Sequence, residues 1–210
     1  MALFKKSNKL LLILGIFYLI YWLFDFYQNA IVPHNFSWIL WYSSAGFLLT
    51  GIALIIQNEL LIYSLFCALF TIEGIWTLDF IYGLIFHKSL LGFTSYIDFS
   101  NFNIIHYYST FYHPLIPIGL LVAILFTRKI YKYGWVGATL FTSILIFLTY
   151  LFVNPNERIN CIFSSSQCDT VFNFLYKINN PYRLFIIIIG LISFVYLPTN
   201  YILIRLKKKQ

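Results

Sequence analysis

Residues 60–86 read LLIYSLFCALFTIEGIWTLDFIYGLIF, a run in which only Glu73 and Asp79 carry charge. Wound as helix at about 1.5 Å per residue, the stretch is long enough to cross the roughly 30 Å hydrocarbon core of a bilayer. It has none of the period-two alternation of apolar and polar residues that a lipid-spanning barrel strand requires. A transmembrane helix is the reading, and the rest of the chain repeats it. Continuous apolar stretches predict six spans, at about 10–32, 36–57, 60–86, 103–127, 133–153 and 182–204. The 210 residues are 60% hydrophobic, 21% aromatic and 10% charged, where soluble domains carry roughly 25% charged residues. The expected fold class is all-α: a polytopic integral membrane bundle of six transmembrane helices forming a single domain.

Basic residues set the expected orientation, because Lys and Arg stay on the cytoplasmic side. Ten of the 14 fall in three places: Lys5, Lys6 and Lys9; Arg128, Lys129 and Lys132; and Arg205, Lys207, Lys208 and Lys209. The other four, Lys88, Arg158, Lys177 and Arg183, lie in or beside the alternate loops. Six spans with both termini and the fourth-to-fifth loop inside satisfy this distribution, which places the chain in the cell membrane as a multi-pass protein. The net charge of +7 is then mostly a topology signal and an attraction to anionic headgroups, so membrane lipids are the expected partners. No recognition motif surrounds the basic residues, and nucleic acid is not expected. The first span has the charged start of a signal peptide. It runs longer than one and ends in Asp25, Tyr27 and Gln28 without a small-residue cleavage site, so a retained helix is expected.

The loops predicted inside are short, which makes neighbouring helices antiparallel hairpins. The outer segments 87–101 and 154–181 are longer and mix Asn, Ser, Gly and Pro with aromatics, as loops at an interface do. There is no internal repeat and no low-complexity linker. Of three cysteines, Cys67 lies within the third span and reads as a small apolar filler. Cys161 and Cys168 share an outer loop, where a disulfide is plausible. Two free thiols are the alternative; a zinc pair is disfavoured because the loop holds no histidine.

Ionisable residues inside spans are costly and mark function by default. Glu73 lies near the middle of the third span and Asp79 nearer its outer end, about 120° apart around the helix. In HYYSTFYHP, residues 106–114, His106, Ser109 and His113 form with Pro117 a narrow stripe along one face of the fourth span. Counted from the outer ends, His113 is about as deep as Glu73 and Asp79, and a carboxylate–imidazole cluster is sterically reasonable. His106 also reads as an interfacial anchor, His113 as a packing histidine, and Asp25 as structural. Pro114 and Pro117 free backbone carbonyls. No hydrolase elbow, zinc-protease helix, phosphate loop or C-x-x-C pair is present. The two histidines are separated by nearly two turns, roughly 10 Å of rise, so no metal site is assigned. No cofactor is indicated, and whether the chain is an enzyme stays open.

Several strings resemble a family of uncharacterised prokaryotic six-helix membrane-associated proteins. They are Trp76, Leu78, Asp79 and Phe80 in WTLDF; Thr94, Tyr96 and Asp98 in TSYID; Ser109, His113 and Pro117 in STFYHPLIP; Tyr133 and Gly134; Ile159 and Asn160; and Leu197, Pro198 and Thr199. They cover roughly two-thirds of the chain. Cys161 stands where that pattern has Trp, Ser164 where it has Gly and Asn200 where it has His. The resemblance implies interest in Asp79 and His113 and brings no activity. Three functions follow from the residues. Glu73, Asp79 and His113 bind a small molecule or ion, or pass protons, in a transporter. Alternatively His113 is the general base of an intramembrane enzyme acting on a lipid or lipid-linked substrate. In the third reading the polar residues only lock the helices of a scaffold or interaction subunit.

Overall fold

Asn8 and Asn58 start two long helices by the same device. Each is extended and accepts, on its side chain, an amide N–H of the first turn, Leu10 N–H on Asn8 and Leu61 N–H on Asn58. The computed structural model describes residues 8–102, 108–129, 131–154, 178 and 181–208. Helix α1 (Lys9–Phe26) passes without a break into a π turn at Tyr27–Ile31, and α3 (Glu59–Phe86) runs through the quoted stretch. Between them α2 (Tyr42–Ile56) follows a 3₁₀ turn at Phe36–Leu40. The later helices are α4 (Tyr112–Phe126), α5 (Gly134–Phe152), α6 (Tyr182–Leu191) and α7 (Leu197–Lys207), the last two joined through a π segment at Ile192–Tyr196. Gln57 at the end of α2 and His87 at the end of α3 both adopt left-handed backbone, φ 51° and 55°, which stops each helix sharply. The described residues are all-helical and contain no strand.

Four of these stretches are long and apolar enough to cross a membrane: Lys9–Ile31, Glu59–Phe86, Gly134–Phe152 and Tyr182–Lys207, with 23, 28, 19 and 26 residues. Helices α2 and α4 fall at the second and fourth predicted spans but have only 15 residues each. At about 1.5 Å per residue that is roughly 22 Å, short of the hydrocarbon core. Both are cut back at their first residues. The segments Phe36–Leu40 and Tyr108–Phe111 coil as 3₁₀ turns instead of extending α2 and α4. Within α4, Pro117 has no N–H to offer the His113 carbonyl one turn before it.

Helix α1 lies along α2, and α3 packs on α2, α4 and α5, so α3 is the central element. The α1–α2 contact depends on glycine: a Cβ at Gly15 would stand 2.8 Å from the Gly51 carbonyl oxygen and 2.9 Å from the Ile55 nitrogen. Close helix approach through small residues is how apolar helices associate where the surroundings are equally apolar. The main core gathers Phe47, Leu54, Tyr63, Leu69, Ile116 and Leu120 around α3, while Leu, Ile and Phe side chains of every long helix are left on the outside. One end of the bundle is tied by polar links. Asn8 N–H donates to Gln57 Oε1 and Gln57 Nε2 donates back to the Asn8 carbonyl, each at 3.0 Å. Glu59 Oε2 accepts the Arg128 and Lys129 amides at 3.2 and 3.1 Å, and Lys207 Nζ donates to the Thr127 carbonyl at 2.7 Å.

Candidate functional site

Glu73 sits halfway along α3 and is 2% exposed. One α-helical turn on, Trp76 shares its face. The first turn of α4 places His113 against both. Its Nδ1 is 2.6 Å from Glu73 Oε2, with Nδ1–H donating to the carboxylate, and its imidazole stacks on the Trp76 indole, ring centres 3.7 Å apart and planes within 13°. Tyr112, the preceding residue, has its ring 4.9 Å from the imidazole. The carboxylate fixes the orientation of the imidazole, and the indole face fixes its plane. Among the described residues, His113 Nε2 and Glu73 Oε1 have no hydrogen-bond partner. A histidine held by a carboxylate through one nitrogen and open at the other is equipped to take or give a proton there.

Asp79 does something else. Six residues further along α3, its carboxylate accepts five hydrogen bonds from the segment that follows the helix: Ser89 Oγ, Leu90 N–H and Leu91 N–H at 2.7 Å, Thr94 Oγ1 at 2.9 Å and Thr94 N–H at 3.0 Å. The turn so held places Gly92 at φ 84°, backbone that favours glycine. The same segment then packs Ile97 and Phe99 onto Trp76 and Phe80. Asp98 accepts the Ser100 and Asn101 amides and the Asn101 side-chain amide, bonds that hold its carboxyl below the usual carboxylate range. Asp79 therefore anchors a cap whose Ile97 and Phe99 pack in one cluster with the indole that stacks on His113.

Of the other sequence candidates, His106, Cys161 and Cys168 lie outside the described residues, and Ser109 lies in the 3₁₀ turn before α4. Asp25 is 1% exposed and tied to the α1–α2 connection, accepting Trp38 Nε1–H at 2.8 Å and Asn29 Nδ2–H at 3.1 Å. Among the described residues no group of three His, Cys, Asp or Glu side chains is placed to hold a metal ion. Sequence reading missed Trp76 as the ring under His113. It also missed the buried hydroxyls of Tyr42, Thr142 and Tyr196, which meet where α2, α5 and the π segment converge. The Glu-x-x-Trp spacing in IEGIW was the only signal for the first. No protein-family model, curated protein or solved structure matches the chain.

Proposed function

We propose that the chain is a six-helix multi-pass protein of the cell membrane, both termini cytoplasmic, in which the Glu73–His113 pair binds and releases protons during transport. The observation that carries the reading is the 2.6 Å contact between His113 Nδ1 and Glu73 Oε2, buried at mid-α3 in a bundle whose outer surface is apolar. A carboxylate and an imidazole that share one hydrogen bond have closely related charged and neutral states, since a proton on the pair converts a single anion into a neutral or zwitterionic unit. In a medium of low dielectric that difference decides whether the group can face an apolar wall. The first turn of α4 supports it: His113 is the second residue of that helix, so the positive end of α4 lies beside the carboxylate. Proteoliposomes containing the full chain, the pH dye pyranine and an imposed potassium diffusion potential test it. Wild type acidifies or alkalises the lumen with the sign of the potential, and Glu73→Gln and His113→Gln, reconstituted to equal amounts, are silent. Wild-type flux no greater than that of empty vesicles defeats the reading.

The open Nε2 of His113 favours a second reading, an intramembrane enzyme in which that nitrogen is the general base and Glu73 the orienting acid. Turnover of a lipid by the purified protein, lost in His113→Gln, selects it over proton flux.

A further inference from the structure

Tyr42 opens α2 and reaches across to α3, where its hydroxyl donates to the Ala68 carbonyl at 3.0 Å. The same oxygen is 3.2 Å from Tyr196 Oη and 3.3 Å from Thr142 Oγ1, and the last two are 2.5 Å apart. Tyr42 gives its one O–H proton to the Ala68 carbonyl, so its oxygen accepts from Thr142 or Tyr196, and three hydroxyls from three different elements form a hydrogen-bonded line ending on that carbonyl. Thr142 and Tyr196 are buried. Tyr196 ends the π segment, an irregularity that leaves a helix locally widened and that recurs at working sites.

The polar line continues toward the tied end of the bundle. Asn200 lies four residues after Tyr196 on the same helix face. Its Nδ2 donates to the Lys132 carbonyl at 2.9 Å in the α4–α5 connection, and its Oδ1 accepts from Cys67 Sγ at 3.7 Å. Beside it, Tyr63 is fully buried and its hydroxyl has no hydrogen-bond partner among the described residues. A Cβ on Gly134 would meet the Tyr63 ring at 2.4 Å and Asn200 Oδ1 at 3.0 Å, so the bare glycine backbone is what lets Tyr63 and Asn200 close on one another there. Buried hydroxyls are nearly always satisfied, by protein or by water. A lone phenol at the end of a hydroxyl line is a docking point for a carrier of protons.

We propose that Tyr42, Thr142 and Tyr196 are a proton relay connecting the Glu73–His113 pair with the Lys132 end of the bundle, with water as carrier between Glu73 and Tyr42 and between Tyr196 and Tyr63. This rests on the proton-transfer reading of that pair. Tyr42 first turns its O–H from the Ala68 carbonyl toward a neighbouring hydroxyl, and at each step the receiving oxygen then forms one O–H bond as its own O–H proton passes to the next oxygen. No hydroxyl keeps a charge, and rotation of the three O–H bonds resets the line.

The substitution Thr142→Val removes the oxygen at nearly constant shape, whereas Thr142→Ser keeps the oxygen and removes a methyl. Potential-driven flux in pyranine-loaded proteoliposomes, normalised to monodisperse reconstituted protein, is expected to fall at least about tenfold in Thr142→Val and Tyr196→Phe while Thr142→Ser stays near wild type. Packing alone predicts the opposite order for the two Thr142 variants. Thr142→Val at the wild-type rate, or Thr142→Ser slowed as much as Thr142→Val, overturns the relay. If Glu73→Gln is still silent in the same series, the reading of the pair survives that failure. A wild-type chain without flux removes both.

Discussion

At the scale of single residues, Glu73 and His113 differ in what their loss leaves behind. His113→Ala strands a carboxylate in the bundle without its donor, and removing one partner of a buried pair costs about 3–5 kcal/mol. Glu73→Gln leaves a neutral amide whose oxygen still accepts from His113 Nδ1–H, and costs about 1–2 kcal/mol, the worth of the charge in that hydrogen bond. Thermal unfolding in detergent should therefore rank wild type, Glu73→Gln and His113→Ala in descending order; equal melting of all three would mean the 2.6 Å contact contributes nothing. Trp76 supplies an optical reporter. A histidine ring held flat on an indole quenches its emission. Tryptophan emission should therefore rise in His113→Gln, and the rise should be absent when Trp76→Phe is added. An equal rise in the presence of Trp76→Phe would assign it to another tryptophan. The depth of these residues was readable from the sequence, because a charge within an apolar run can be located by counting from its ends. The stacking was not readable. Trp76 is one of 5 Trp among 23 Phe and 17 Tyr, and composition cannot distinguish a ring under an imidazole from one facing lipid.

At the scale of elements, Asp79 shows why position within a span is an incomplete guide. It was grouped with Glu73 and His113 on depth, yet all the donors on its carboxylate come from residues 89–94, after the helix has ended. Backbone N–H groups have no signature in a sequence, so a loop that folds back onto a carboxylate is invisible until the turn is seen. Asp79→Asn turns one acceptor oxygen into a donor that confronts the Ser89 and Thr94 donors or the Leu90 and Leu91 amides. The cap should loosen while the bundle stays assembled, and limited proteolysis between residues 88 and 101 should accelerate without change in helical circular dichroism. Unchanged cleavage would show that the aromatic packing of Phe99 on α3 holds the cap unaided. The two short helices were hidden for a related reason. FSWIL, residues 36–40, is as apolar as the helix it precedes, so hydropathy counts it into the span although its hydrogen bonds are 3₁₀.

At the scale of the molecule, the question is how many times the chain crosses the membrane. Four stretches meet the length requirement alone, and α1, α3, α5 and the α6–α7 rod would suffice for an even number of crossings with both termini on one side. The position of the termini therefore does not separate four crossings from six. What separates them is the α2–α3 connection. If α2 stayed at the outer face, Asn58 would be outside. In the bundle, however, Gln57 exchanges two hydrogen bonds with Asn8, Glu59 holds the Arg128 and Lys129 amides, and Lys207 reaches Thr127, so these residues share one end. Three of the segments meeting there belong to the basic clusters that the positive-inside rule assigns to the cytoplasm. On that ground we propose six crossings, with α2 and α4 completing theirs through the 3₁₀ turns that precede them. A background without native cysteines, carrying single cysteines at residue 58, at residue 88 or after Gln210, makes the measurement. An impermeant maleimide on intact cells should label only position 88. Labelling at 58 instead of 88, with the C-terminal cysteine still protected, would leave α2 outside and reduce the crossings to four, and the polar line from Glu73 to Lys132 would lose the membrane it is proposed to span.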